Sequence, residues 1–106
     1  MSGYTLTRSS ECDIREIWSH VAVDDLNAAD RLLGRFYERF RLLGDNPHLG
    51  PLHPELAERI RCTAVGFYVV LYKVTDDRVV ILRVLHGRRD IPSLLENESL
   101  DGEDAD

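Results

Sequence analysis

Apolar residues recur along the chain at two different periods. Ile14, Ile17, Trp18, Val21 and Ala22 are spaced by three and four residues, as are Ala29, Leu32, Leu33, Phe36, Phe40 and Leu43. That spacing predicts two amphipathic helices, each with one buried stripe. Thr7, Ser9 and Ser10 precede the first with hydroxyls suited to a cap, and Ser10 with Asp13 has the spacing of a capping box. Asp24-Asp25 interrupts the pattern and is placed to cap the second helix, which Gly44 ends before Asn46-Pro47. Arg31, Arg35, Arg39 and Arg41 could form a basic ridge, but with Asp30 and Glu38 interspersed they are expected to be a solvated helix face. So short a link makes the pair an antiparallel hairpin.

The remaining apolar segments follow strand rules. Tyr4 to Thr7 fits a short first strand, and after a loop rich in Pro, Gly and His come three β-like runs, 59–65, 67–74 and 78–86, separated by Gly66 and by Thr75-Asp76-Asp77. Links this short predict an antiparallel meander. Ile91-Pro92 then leads into at most one helical turn, 93–95. The predicted architecture is α+β in the order β-α-α-β-β-β, a helical hairpin packed on a small twisted sheet.

Strict alternation in the last strand sends Val79, Ile81, Arg83 and Leu85 one way and Val80, Leu82, Val84 and His86 the other. Arg83 is the anomaly, and the cost of burying an unpaired guanidinium places it on the face away from the helices or at a rim. Arg59 and Arg61 share a face of their strand, as do Tyr68 and Tyr72 of theirs. If these faces coincide with that of Arg83, several polar groups converge on one surface. Two readings stay open: a site for an anionic partner, because arginine forks match phosphate and carboxylate, or a solvated sheet end with Arg88 or Arg89 paired to Asp90. His86, with no nucleophile or carboxylate identifiable beside it, does not meet the geometry of acid/base catalysis. Cys12 and Cys62 and the four scattered histidines have no metal-ligand spacing, so no metal and no cofactor is expected.

Charge separates the chain into two parts. The net charge is -6, but six of the 19 acidic residues lie within 96–106, which leaves 13 bases against 13 acids in 1–95. Residues 1–95 are expected to form one domain, and 96–106, with one leucine and no aromatic residue, an acidic disordered tail. A signal-like or membrane-spanning run is missing from the sequence, so a cytoplasmic protein without membrane contact is expected.

Taken together, these segments resemble the ParE branch of the RelE/ParE toxin superfamily of bacterial toxin-antitoxin modules. The likeness runs through "YTLTRSSECDIREIWSHVA", "LLGDNPHLGPLHPEL", "RIRCTAVGFYVVLYKV" and, most specifically, "VVILRVLHGRRD". It leaves out only the acidic tail. RelE-type members are ribosome-dependent mRNA endonucleases. Of the basic set the likeness associates with that activity, Arg59, Arg61 and Arg88 have counterparts, while Tyr68 stands in place of an arginine and Leu94 near the place of a terminal tyrosine.

The resemblance to ParE-type members therefore implies a toxin that inhibits DNA gyrase by binding, neutralised in a hetero-oligomer by a ParD-like antitoxin, without sequence-specific nucleic-acid binding of its own. The expected target surface comprises Arg83, His86, Arg88 and Arg89, supported by Arg59, Arg61 and Tyr72, with 91–95 beside it. Trp18, Phe36, Phe40 and Tyr68 are the candidates for antitoxin contact. The alternatives are a RelE-like interferase with an altered residue set and an inactive antitoxin-binding homologue. The acidic tail is expected either to solubilise the protein or to shield the basic rim.

Overall fold

The computed structural model describes residues 3–76 and 78–93. Its elements run β1 (Tyr4–Leu6), α1 (Arg8–Asp24), α2 (Leu26–Asp45), β2 (Arg61–Val65), β3 (Tyr68–Thr75) and β4 (Arg78–His86), in the order the periodicities predict. The proposed acidic tail and the 94–95 end of the predicted helical turn lie outside the described residues. Thr7 caps α1 by accepting the Ser10 N–H, and Asp25 caps α2 by accepting that of Ala28. Gly44 sits inside the last turn of α2 rather than beyond it, and Asn46 closes the helix by donating to Leu42.

The sheet order is β1-β4-β3-β2, with β1 parallel to β4 and the other pairs antiparallel. Both of its faces are covered. Under the helices, Ile14 and Ile17 of α1 and Phe36, Phe40 and Leu43 of α2 meet Val70, Tyr72, Val79, Ile81 and Val84 of the strands. On the far face, Leu71, Leu82 and Leu85 are covered by Leu56 and Ile60 from the long loop after α2, with Ile91 at the margin. Sequence periodicity has no means of anticipating this second layer, because the loop that builds it has no period.

One core side chain corrects the expected site directly. Tyr72, expected on a contact surface, is fully buried, and its hydroxyl accepts the Gly50 N–H at 2.8 Å and donates to the Pro47 carbonyl at 3.0 Å. Alternation was right that Tyr72 shares a face with Tyr68, but that face is the covered one toward the helices and not an open polar surface. The hydroxyl pins the loop where it passes closest to the sheet: a Cβ on Gly50 would lie 2.5 Å from the Cys62 carbonyl oxygen. Tyr72→Phe removes a partner from the buried Gly50 N–H and from the partly buried Pro47 carbonyl, so it is expected to destabilise the fold by about 1–3 kcal/mol. Urea unfolding should show a lower midpoint at unchanged slope, and a midpoint equal to that of the parent chain would contradict this role.

Candidate functional site

The geometry of the site begins with an irregularity in β4. Leu71 faces Arg83 but Tyr72 faces Ile81, so Leu82 is an extra residue in β4 and the strand bulges there. Beyond the bulge the alternation is reversed: Val84 joins Val79 and Ile81 in the helix-side core, while Leu85 joins Leu82 on the far face. The groups freed by the bulge are met from the start of α1. The Thr7 hydroxyl lies 3.0 Å from the carbonyl oxygens of both Ile81 and Leu82. Asp13 accepts the Val84 N–H at 2.9 Å and grips the Arg83 guanidinium with both oxygens, at 2.8 and 3.0 Å. Of the two places expected for Arg83, the face away from the helices does not hold: its partly exposed guanidinium is tied to α1. Asp13 is spent on the bulge rather than on a capping box.

The reversal carries His86 to the end of the sheet beside Tyr68, with ring centroids 5.6 Å apart at 82°. There the chain turns tightly through Gly87-Arg88-Arg89-Asp90. The Asp90 N–H donates to the His86 carbonyl, and the Asp90 carboxylate accepts the His86 N–H while holding the Arg89 guanidinium at 2.9 and 3.2 Å. His86 Nδ1 accepts the Arg89 N–H, so that nitrogen serves the turn. Arg88 points no described hydrogen bond inward and is exposed.

The β2–β3 hairpin closes against this turn. Gly66 has φ +60 and Phe67 an ordinary φ, the pattern of a two-residue hairpin with glycine first. The Phe67 carbonyl accepts the Gly87 N–H at 2.9 Å, and the Phe67 ring lies parallel to His86 at 6.4 Å while remaining 78% exposed. Arg35 of α2 covers the hairpin: a Cβ on Gly66 would lie 3.4 Å from its guanidinium. One helical turn further along, Arg39 donates to Thr63 Oγ1 and to the Ala64 carbonyl on the edge of β2. The exposed Phe67 ring thus stands on a hairpin that Arg35 of α2 covers at Gly66 and that the Gly87-Arg88-Arg89 turn after β4 joins through the Phe67 carbonyl. Sequence reading missed Phe67, although the apolar residue directly after a hairpin glycine was a usable signal.

The other expected contact residues separate. Arg61 donates to the Gly50 carbonyl at 2.7 Å and belongs to the loop anchor. Arg59 precedes β2 in an exposed turn with φ 70, so it shares no strand face with Arg61. Together with Tyr72 and Arg83, these residues do not converge on one polar sheet surface. Among the antitoxin candidates, Phe36 and Phe40 are core residues 1% and 0% exposed, out of reach of any partner. Tyr68 is half-buried and sets its edge against Phe36. Trp18 is accessible: its indole donates to Asp30 at 2.9 Å, and it lines an open groove of about 360 Å³ with Glu11, Ile14, Arg15, Leu33 and Tyr37. Burial, together with Tyr4 and Glu11, pushes the Tyr37 hydroxyl above its ordinary pKa, which keeps it a neutral donor in that groove.

Chemically, the Phe67 end of the sheet offers cations, one exposed ring and a rigid turn. Among the described residues no group of three or more His, Cys, Asp or Glu could hold a metal ion. Among the same residues no helix is long and apolar enough to cross a membrane. The hydrogen bonds from Arg89 hold the Asp90 carboxyl below its ordinary pKa, assisted by the His86 N–H and opposed by partial burial. A folded-state pKa below the unfolded value means that this contribution is present above about pH 4 and is lost as the pH falls through the lower folded value. An NMR titration of the Asp90 side chain should therefore give a midpoint below that of a free aspartate. A midpoint at or above the free value would show that the turn is not held this way.

Residues 4–91 match the family model for the ParE toxin of the type II toxin-antitoxin system parDE. Toxin ParE3 of Caulobacter vibrioides is 30% identical over 90 residues, 84% of this chain and 90% of that protein. In fold, the chain is similar to a chain of the chromosomal ParDE system from P. aeruginosa, with a TM-score of 0.71 and 19% identity over 81% of this chain and 96% of that one. It is also similar to a chain of the RelBE2 toxin-antitoxin complex from Mycobacterium tuberculosis, with a TM-score of 0.61 and 28% identity over 80% and 96%.

Proposed function

Because the chain belongs to the ParE toxin family of type II toxin-antitoxin systems, we propose that it acts by binding DNA gyrase and that a ParD-like antitoxin neutralises it. The observation that carries this reading is the form of the site. Phe67 and the guanidinium groups of Arg35, Arg88 and Arg89 project outward, which suits docking onto a large partner; a reacting group would need enclosure. Aromatic and arginine side chains are the ones that dominate protein interfaces.

The residue assignments favour the same choice over an mRNA interferase. Arg61 is occupied with Gly50, Arg59 sits in a separate turn, and position 68 is a tyrosine wedged between Phe36 and His86. Only Arg88 of the nuclease-like basic set remains at the rim. Phosphoryl chemistry depends on several such groups acting together on one phosphate.

The antitoxin assignment draws on the two fold neighbours, both described as toxin-antitoxin systems or complexes. Its seat is the groove beside Trp18, where Ile14, Leu33 and Tyr37 offer apolar surface to an amphipathic segment that orders on binding. Purified toxin added to gyrase and relaxed plasmid, and in parallel to translating ribosomes with mRNA, tests the target. Blocked supercoiling with intact mRNA is the expected result, and mRNA cleavage with normal supercoiling would overturn the proposal.

A further inference from the structure

Phe67 has no structural reason to be aromatic. Its ring contributes nothing to either core cluster, and a two-residue hairpin asks only for glycine at position 66. A ring 78% exposed, laid parallel to His86, on a hairpin beside the exposed Arg35 and bonded through its carbonyl to the turn that holds the exposed Arg88 and Arg89, is a surface that lacks its cover. The nearby aspartate offers none, since both Asp90 oxygens are taken by Arg89 and the His86 N–H.

The sequence supplies a complementary segment at a fixed distance. Residues 94–106 carry six carboxylates and no base, with leucines at 94, 95 and 100. They begin one residue after Ser93. Ile91 packs against the far-face cluster and Asp90 is bonded to His86, so the segment starts next to the rim. Thirteen residues span up to about 40 Å when extended, ample for the width of a hairpin and a turn. A tethered segment of this length acts at an effective concentration of the order of millimolar. Weak ion pairs, together with one leucine against a phenyl ring, then suffice to populate the contact.

We propose that residues 94–106 of this chain dock in cis over the Phe67–His86 platform and its arginines, and so compete with any macromolecule that uses the same rim. The contact itself stands on the rim and on the sequence of the segment; the competition rests on the function proposed above.

The test compares full-length wild type with a full-length variant in which all six carboxylates become amides: Glu96→Gln, Glu98→Gln, Asp101→Asn, Glu103→Gln, Asp104→Asn and Asp106→Asn. Amide NMR spectra at about 10 mM salt should differ at Gly66, Phe67, Gly87 and Arg88 and coincide at core positions such as Val70. Raising the salt to about 1 M, which shortens the screening length from about 30 Å to about 3 Å, should bring the wild-type rim signals onto those of the variant. Unchanged rim amides overturn the proposal. Differences that disappear on dilution would assign the contact to a second copy and overturn docking in cis. With gyrase kept well below the toxin concentration that half-inhibits it, the amide variant should half-inhibit at roughly ten-fold lower concentration than wild type at low salt. If the rim signals move as expected but neither chain inhibits gyrase, the contact stands and the target assignment falls.

Discussion

Asp13→Ala is expected to be the most damaging single substitution in the described chain outside the apolar core, destabilising it by about 3 kcal/mol or more. The carboxylate is 11% exposed, and it satisfies three donors at once: two on Arg83 and the N–H of Val84. Its removal takes the bidentate carboxylate from a guanidinium 26% exposed and strands a buried backbone donor. Breaking one side of such a pair costs far more than the pair itself contributes, because the surviving charge keeps its desolvation cost. A domain of this size has only about 5–15 kcal/mol in total, so the loss should appear as a fall in Tm of roughly 10 °C or more. Arg83→Leu in the same chain should recover part of that loss, since the charge that Asp13 balances is then removed as well. A thermal melt of Asp13→Ala within a degree or two of wild type would show that the bulge is held by other contacts.

The functional counterpart is Phe67→Ala combined with Arg88→Ala. Both residues are exposed and neither supports the core, so stability should move by no more than about 0.5 kcal/mol for each. Interface anchors of this type typically account for about 2 kcal/mol or more of binding, which predicts at least a 30-fold weaker inhibition of the target. Antitoxin binding in the Trp18 groove should survive. Loss of both activities together, with the melting temperature kept, would merge the two surfaces into one and contradict the separation drawn between them.

The order of elements was legible because each is written in a period: two helical stripes, and three runs punctuated by glycine and aspartate. The site was legible only in part, for a reason that lies in one residue. Alternation holds along β3, so Tyr68, Val70 and Tyr72 share one face as expected; it fails along β4 because Leu82 is an extra residue. No local preference at Leu82 or Arg83 announces a bulge. What specifies it is Asp13 and Thr7, some seventy positions earlier in the chain. Their other property, suitability for capping the start of a helix, was the only one visible locally, and it describes Thr7 but not Asp13. Tyr72, Phe36 and Phe40 mislead in a related way, because an aromatic residue on the correct face looks the same in sequence whether that face is covered or open. Arg88, Arg89 and Asp90 were readable as they stand, since a short polar turn after a buried strand has few arrangements.

The central claim is that this toxin acts by occupying its target through the Phe67 end of the sheet. Titrating purified toxin against a fixed amount of gyrase in a supercoiling assay tests it most directly. Inhibition should rise until toxin and gyrase are near equivalence and then level off. The Phe67→Ala/Arg88→Ala chain, with an affinity at least 30-fold weaker, should need toxin well beyond equivalence while melting at the wild-type temperature. Complete inhibition at a small fraction of the gyrase concentration, or an unshifted curve for the double variant, would contradict the account.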